Sequence, residues 1–191
     1  KDFPGYLSLF EEEAFRCKEI TGSLLHFVRD PGSRRAPTDL NVLVDKVLEL
    51  IGHQPRYAHS RFLRRLDPEM PDVVANDGQL RQVFLGLVSN ALDAMDGRGT
   101  LTIATRRRNA REVEVAFADE GPGIPDHILP RVFDPFFTTK PPGQGTGLGL
   151  AIAQGIVADH DGRFEVDTRV GAGTTFRVIL PVHPDAHPAR P

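Results

Sequence analysis

The chain has 191 residues, of which 40% are hydrophobic and 26% are charged, so it can bury one sizeable core. Its formal net charge of −3 at pH 7 excludes a broad attraction to nucleic acid, and the run Arg106, Arg107, Arg108 is only a local basic spot. The single Cys17 excludes an internal disulfide, and no apolar run approaches the roughly 18 residues that span a bilayer. We therefore expect one main cytoplasmic domain that contacts neither nucleic acid nor a membrane.

The first half of the chain is predicted to begin with a long helix. Residues 6–29 place apolar side chains at intervals near three and four, which indicates an amphipathic helix with one apolar seam. Proline and glycine break this pattern over residues 31–39 and predict a linker. A second helix is predicted over residues 40–51, and an alternating strand over residues 61–66.

The second half is predicted to alternate helices with hairpins. Asp77 is expected to cap a helix over residues 78–95, and another helix is expected over residues 149–160. Strands are predicted over residues 100–106, 112–118, 163–168 and 174–180. Because the strands come in hairpin pairs with helices between the pairs, we predict an α+β fold, a two-layer sandwich of a mixed sheet and helices.

The predicted organisation is a leading helix, a linker and one domain. We assign residues 1–30 to the helix, 31–39 to the linker, 40–183 to the domain and 184–191 to a loose tail. Because the chain starts at Lys1 with neither a methionine nor a signal-like leader, we expect it to be part of a longer protein.

A carboxylate followed by glycines ends the strand predicted over residues 112–118. Asp119 stands at the strand terminus, and Gly121 and Gly123 let the next turns pass close to a ligand. This arrangement suits accepting a hydrogen bond from an exocyclic amine such as that of adenine. The alternative is a purely structural turn, in which Asp119 caps the helix near Asp126.

A second glycine cluster precedes the helix predicted over residues 149–160. Every second residue of this cluster is a glycine: Gly143, Gly145, Gly147 and Gly149. The N-terminal amides and the dipole of the following helix favour binding of a phosphate group. Such a loop can also close over a nucleotide, or it can be a flexible connector. The chain has no Gly-Lys pair and no G-x-G-x-x-G spacing, which excludes a Walker loop and a dinucleotide-binding loop.

An asparagine stands near the end of the helix predicted over residues 78–95. The side-chain oxygen of Asn90 can hold Mg²⁺, which usually keeps several waters and takes one or two protein ligands beside nucleotide phosphates. The alternative is an ordinary core or capping asparagine. The order of Asn90, Asp119 and the second glycine cluster favours an ATP site.

Together these motifs resemble the ATP-binding catalytic domain of sensor histidine kinases, a member of the GHKL superfamily with its Bergerat-type ATP site. The similarity covers residues 37–182. The segment that resembles the family's N box is Asn90-Ala91-Leu92-Asp93-Ala94, and the segment that resembles its first glycine box is Asp119-Glu120-Gly121-Pro122-Gly123. The F box is resembled by Phe133-Asp134-Pro135-Phe136-Phe137, and the second glycine box by Gly145-Thr146-Gly147-Leu148-Gly149-Leu150. Gly173-Thr174-Thr175-Phe176 resembles the closing strand.

The resemblance implies a set of site residues. Asn90 would hold Mg²⁺, Asp119 would bind the adenine amine, Thr174 would support the adenine through water, and Lys140 would contact phosphates; Asn90 and Lys140 would be the catalytic residues. The implied ATP contacts are Asn90, Asp93, Asp119, Gly121, Gly123, Ile124, Phe133, Lys140, Gly145, Thr146, Gly147, Leu148, Gly149, Leu150 and Thr174. Phe133, Phe136 and Phe137 would anchor a lid, or simply pack in the core.

The resemblance also implies a reaction and its partners. The γ-phosphoryl group of ATP would pass to a histidine on a dimerisation and phosphoacceptor hairpin, and then to the receiver domain of a response regulator. Residues 1–30 are similar to the second helix of that hairpin, which implies a homodimer of the whole protein. His26 is not the acceptor, because Phe27 replaces the acidic neighbour, so we expect the acceptor upstream of Lys1.

Two other functions remain open from the sequence. Related ATP hydrolases of the topoisomerase and chaperone type carry a water-activating Glu four residues before the Mg²⁺ asparagine, where this chain has Gly86. Because Gly86 cannot accept a proton, we expect slow ATP hydrolysis. A nucleotide-binding interaction module without catalysis is the other alternative.

Overall fold

The computed structural model describes residues 35–141 and 145–182, so the predicted N-terminal helix, His26 and Gly143 lie outside it. The elements are β1 (Ala36–Thr38), α1 (Leu40–Gly52), β2 (His59–Arg65), β3 (Val73–Ala75), α2 (Asp77–Ala94), β4 (Arg98–Arg107), β5 (Glu112–Asp119), α3 (Gly149–Asp159), β6 (Arg163–Thr168) and β7 (Thr174–Pro181). Short 3-10 turns form at Pro55–Tyr57 and Leu129–Arg131. No helix within the described ranges is long and apolar enough to cross a membrane.

A mixed sheet forms one layer and the helices form the other. The strand order is β2-β4-β5-β7-β6, in which β2 pairs parallel to β4 and the remaining pairs are antiparallel. Alternate side chains of β5, such as Val115 and Phe117, join the core on the helical face. Phe84 of α2 packs on Phe117 with ring centroids 5.3 Å apart. The predicted α+β sandwich is confirmed.

The opposite face of the sheet is lined by ion pairs around a buried carboxylate. Glu114 is 3% exposed and accepts two hydrogen bonds of 2.9 Å from Arg106. Arg108 and Arg177 lie 3.6 and 3.7 Å from the same carboxylate. Two members of the arginine triplet therefore neutralise a buried acid.

Two predicted boundaries are wrong. Asn76, not Asp77, caps α2: its backbone is extended and its Oδ1 accepts from the backbone N of Gln79 at 3.2 Å. The predicted linker over 31–39 also extends too far, because β1 pairs antiparallel with β3 and Asp39 caps α1. Strand pairing across more than 30 residues is not visible in local sequence.

A buried histidine joins α3 to the start of α2. His160 Nε2 accepts a hydrogen bond from the backbone N of Asn76 at 3.0 Å, while Nδ1 donates to the carbonyl of Ile156 at 2.7 Å. Burial lowers the pKa of His160 below its usual 6.5. Protonation of His160 would place a hydrogen on Nε2. This hydrogen would face the backbone N–H of Asn76, and the hydrogen bond between the two would be lost.

Because the pKa of His160 is lowered in the folded state, its contribution to stability is complete above pH 6.5 and is lost as the pH falls toward the lowered value. We expect the free energy of unfolding, measured by urea denaturation between pH 8 and pH 5, to decline with acid. His160→Gln should flatten this decline, whereas His127→Gln, at an exposed position, should leave it unchanged. An equal pH dependence in wild type and His160→Gln would contradict the assignment.

Candidate functional site

The Asp119 carboxylate is held by backbone donors at the end of β5. Its Oδ1 accepts hydrogen bonds from the backbone N of Gly121 at 2.8 Å and of Thr174 at 3.2 Å. Burial raises the pKa of Asp119, and these backbone hydrogen bonds oppose the rise. Because both donors bind Oδ1, Oδ2 can accept a hydrogen bond from a ligand. The carboxylate therefore binds its own turn and β7, and a helix-capping role near Asp126 is not what it performs.

The first glycine cluster is compressed between α2 and the turn that joins β6 to β7. A Cβ on Gly121 would lie 2.8 Å from Asp119 Oδ1 and 3.4 Å from Ala94 Cβ. Gly123 has a φ of 72°, and a Cβ there would collide with the carbonyl of Arg169. Glycine is therefore required at both positions for Asp119 to reach its place beside the end of α2.

Two threonines connect the same turn to β6 and β7. Thr174 is buried, and its Oγ1 lies 3.0 Å from Thr168 Oγ1. Thr168 Oγ1 also accepts a hydrogen bond from the backbone N of Ile124 at 2.8 Å. The sequence does not predict Thr168 as a site residue, because it is one of several polar residues in an alternating strand. Only the pairing of Thr168 with Thr174 between β6 and β7 brings it to the site.

The Asn90 side chain lies one turn before the end of α2. It has no hydrogen-bond partner within residues 35–141 and 145–182, so a structural core or capping role is not supported. A Cβ at Gly86, one turn earlier on the same face, would meet nothing within 4 Å. An unpaired amide oxygen beside open space fits Mg²⁺, which retains several waters.

Asp93 lies one turn after Asn90 and binds cations from two other segments. Lys140 Nζ and Arg56 Nη2 each lie 2.6 Å from a different oxygen of the Asp93 carboxylate. Tyr57 Oη also donates to Asp93 Oδ1, at 2.9 Å. Sequence reasoning identified Asp93 and Lys140 but missed Arg56 and Tyr57, which belong to no motif and reach the site through the 3-10 turn.

The F-box phenylalanines have different environments. Phe133 packs on Phe164 and Phe176, with ring centroids 5.2 and 6.3 Å away, and Arg131 lies 4.5 Å from the ring centroid of Phe137. Phe136 is 69% exposed and has a φ of 66°. The alternative of core packing is therefore wrong for Phe136, whereas the lid role of the three phenylalanines stays a prediction.

The second glycine cluster packs against the F box. Gly147 has a φ of 66°, and a Cβ there would collide with the backbone of Phe136. A Cβ on Gly145 would lie 2.8 Å from Thr138 Oγ1. Gly145 and Gly147 therefore pack closely against the F-box segment. Gly149 begins α3, and no side chain of the cap residue Leu148 accepts a hydrogen bond from the first amides of this helix, an arrangement that suits an anion.

The predicted site residues fall into two groups. The first group lies together around the end of α2. It contains Asp119 and Gly121, which contact the end of α2, and Asp93, which connects α2 to Lys140 through an ion pair. The second group consists of predicted ATP contacts whose side chains pack on the core or take part in local turns. Leu148 is buried, Ile124, Phe133 and Leu150 pack against the core, and Thr146 Oγ1 accepts from the backbone N of Leu148 at 3.4 Å.

Similarity to known proteins agrees with this geometry. Residues 75–184, more than half of the chain, match the family model described as histidine kinase-, DNA gyrase B- and HSP90-like ATPase. The chain is 40% identical over 196 residues to the sensory histidine kinase/phosphatase NtrB of Rhizobium leguminosarum bv. phaseoli. This similarity covers 92% of the chain but only 49% of NtrB, so the chain spans about half the length of that relative.

Solved structures extend the similarity to three dimensions. The catalytic domain of histidine kinase ThkA, in a nucleotide-free form, is 32% identical with a TM-score of 0.70, covering 80% of this chain and 99% of that domain. ThkA in complex with the response regulator protein TrrA is 26% identical with a TM-score of 0.77, covering 98% of this chain and 53% of that one. The chain therefore belongs to the family of histidine kinase-, DNA gyrase B- and HSP90-like ATPases, and within it to the catalytic domains of histidine kinases.

Proposed function

We propose that the chain transfers the γ-phosphoryl group of ATP to a histidine on the phosphoacceptor hairpin of its own protein, for relay to a response regulator. The observation that carries this proposal is that two backbone donors bind Oδ1 of Asp119, so that Oδ2 would accept from an adenine amine. The complex of the relative ThkA with TrrA supports a response regulator as the partner. Because ATP and receiver domains meet in the cytoplasm, we propose that the domain works there, as part of a homodimer.

The described residues suit phosphoryl transfer by positioning and charge stabilisation. Asp119 would orient the adenine, Lys140 would bind the phosphates, and the N-terminus of α3, which has no side-chain cap, would add backbone donors. Asn90 would hold Mg²⁺, which neutralises phosphate charge when bound. The Asn90 amide cannot accept a proton from water, and Gly86, one turn earlier on α2, offers no side chain for that role, so this end of the site favours transfer over hydrolysis.

The test is transfer to a separate acceptor. The 191-residue chain is mixed with a purified hairpin that carries the acceptor histidine, together with Mg²⁺ and ATP labelled at the γ-phosphate. We expect acid-labile, base-stable label on the hairpin, and none when its histidine is replaced by glutamine. Tight ATP binding without label would favour a nucleotide-binding module, and rapid release of inorganic phosphate would favour a hydrolase.

A further inference from the structure

We propose that Arg56 is a second phosphate-binding cation of this site, and that Arg56 and Lys140 exchange the Asp93 carboxylate for the phosphates of the nucleotide. This inference rests on the proposed function and names a contact that the sequence motifs do not contain. Arg56 belongs to the 3-10 turn between α1 and β2, far along the chain from every motif.

Arg56 and Lys140 meet at one carboxylate. Arg56 Nη2 lies 2.6 Å from Asp93 Oδ1, and Lys140 Nζ lies 2.6 Å from Asp93 Oδ2. Two cations that bind the same carboxylate can bind the same phosphate group, which offers more oxygens and more negative charge. The Asp93 carboxylate thus marks the position that an anionic group takes between the two cations.

Although its side chain is 68% exposed, Arg56 has defined neighbours on both its backbone and its guanidinium. Pro55 starts the 3-10 turn, and the Arg56 guanidinium lies 5.2 Å from the ring centroid of Tyr57. Gly97, with a φ of 68°, lets the end of α2 approach the turn, because a Cβ there would lie 2.7 Å from the Arg56 carbonyl. The guanidinium is therefore already directed at the end of α2.

Tyr57 keeps Asp93 in position for this exchange. Burial, with a further contribution from the hydrogen bond to Asp93, raises the pKa of Tyr57 to about 12. The phenol therefore stays a hydrogen-bond donor at neutral pH and continues to donate to Asp93 Oδ1 after the cations leave the carboxylate. Without that donor, release of Arg56 and Lys140 would leave a carboxylate that is only 14% exposed without a partner.

The cluster of Arg56, Lys140 and Asp93 faces an open space. A cavity of about 450 Å³ is lined by Arg56, Lys140, Asp93, Asp96 and Thr139, among others. Its lining carries two cations and two carboxylates, and a strongly charged anion can draw the cations from Asp93 to itself. A polyphosphate provides that charge, whereas a monophosphate nucleotide bound by its adenine would gain little. Arg56 should therefore act on the outer phosphates.

The test compares nucleotides of different phosphate number. We expect Arg56→Ala to weaken ATP binding about 10-fold, as measured by calorimetry with Mg²⁺, and to leave AMP binding within about 2-fold of wild type. Arg64→Ala is the matched control, because Arg64 is an exposed arginine that pairs with Asp45 at 2.9 Å on α1, outside the cluster. It should change neither affinity.

The outcomes separate this inference from the proposed function. Unchanged ATP affinity in Arg56→Ala, or an equal loss for ATP and AMP, would overturn the role of Arg56 alone. Retained AMP binding also verifies that the variant is folded. If the wild-type chain binds neither nucleotide, the ATP site itself is refuted.

Discussion

Asp119→Asn is expected to weaken ATP binding about 100-fold, equivalent to about 2.7 kcal/mol. The backbone N–H groups of Gly121 and Thr174 both bind Oδ1, so an asparagine would keep its carbonyl there and present its NH₂ to the ligand. That NH₂ would oppose the exocyclic amine of adenine, and two donors cannot satisfy each other. Calorimetric titration with ATP measures the loss.

The comparison ligand for this variant is tripolyphosphate, which lacks the base. Its affinity should be unchanged in Asp119→Asn, because the variant keeps the backbone geometry of the turn. Asp126→Asn is a suitable control, since Asp126 is exposed in the same loop. Equal losses of ATP and tripolyphosphate would mean that Asp119 is structural and does not bind the base.

Asn90→Ala is expected to slow phosphotransfer to the acceptor hairpin about 100-fold, because the variant loses the side-chain oxygen proposed to hold Mg²⁺. The same change should remove most of the difference between ATP affinities measured in Mg²⁺ and in EDTA. Asn90 has no hydrogen-bond partner in the described part of the chain, so its loss should cost little stability.

Two variants make the Asn90 result specific. Asn90→Asp keeps an oxygen ligand and should retain the Mg²⁺ dependence of ATP binding. Arg81→Ala, at an exposed position of α2, should behave as wild type. If Asn90→Ala loses ATP affinity equally in Mg²⁺ and in EDTA, Asn90 contacts the nucleotide directly or supports the helix, and it is not a metal ligand.

The elements with strong local patterns were predictable. The periodicity of α2 and the alternation of β4 and β5 identified those elements to within a few residues, because one face of each is buried. The cap at Asn76 and the strand Ala36–Thr38 were missed. Asn76 and Asp77 are chemically equivalent as caps, so only the backbone angles decide between them, and β1 depends on a partner distant in sequence.

The sequence by itself determined the family and the order of the motifs, since Asn90, Asp119 and the glycine clusters stand at recognisable spacings. Only the tertiary structure decided which glycines are sterically required, that Phe136 is exposed, and that Thr168 supports the Asp119 turn. It also brought Arg56 and Tyr57 to Asp93. The physical reason is that a motif records residues that are neighbours along the chain, whereas hydrogen bonds, ion pairs and steric contacts act between residues that only the packing of sheet and helices brings together.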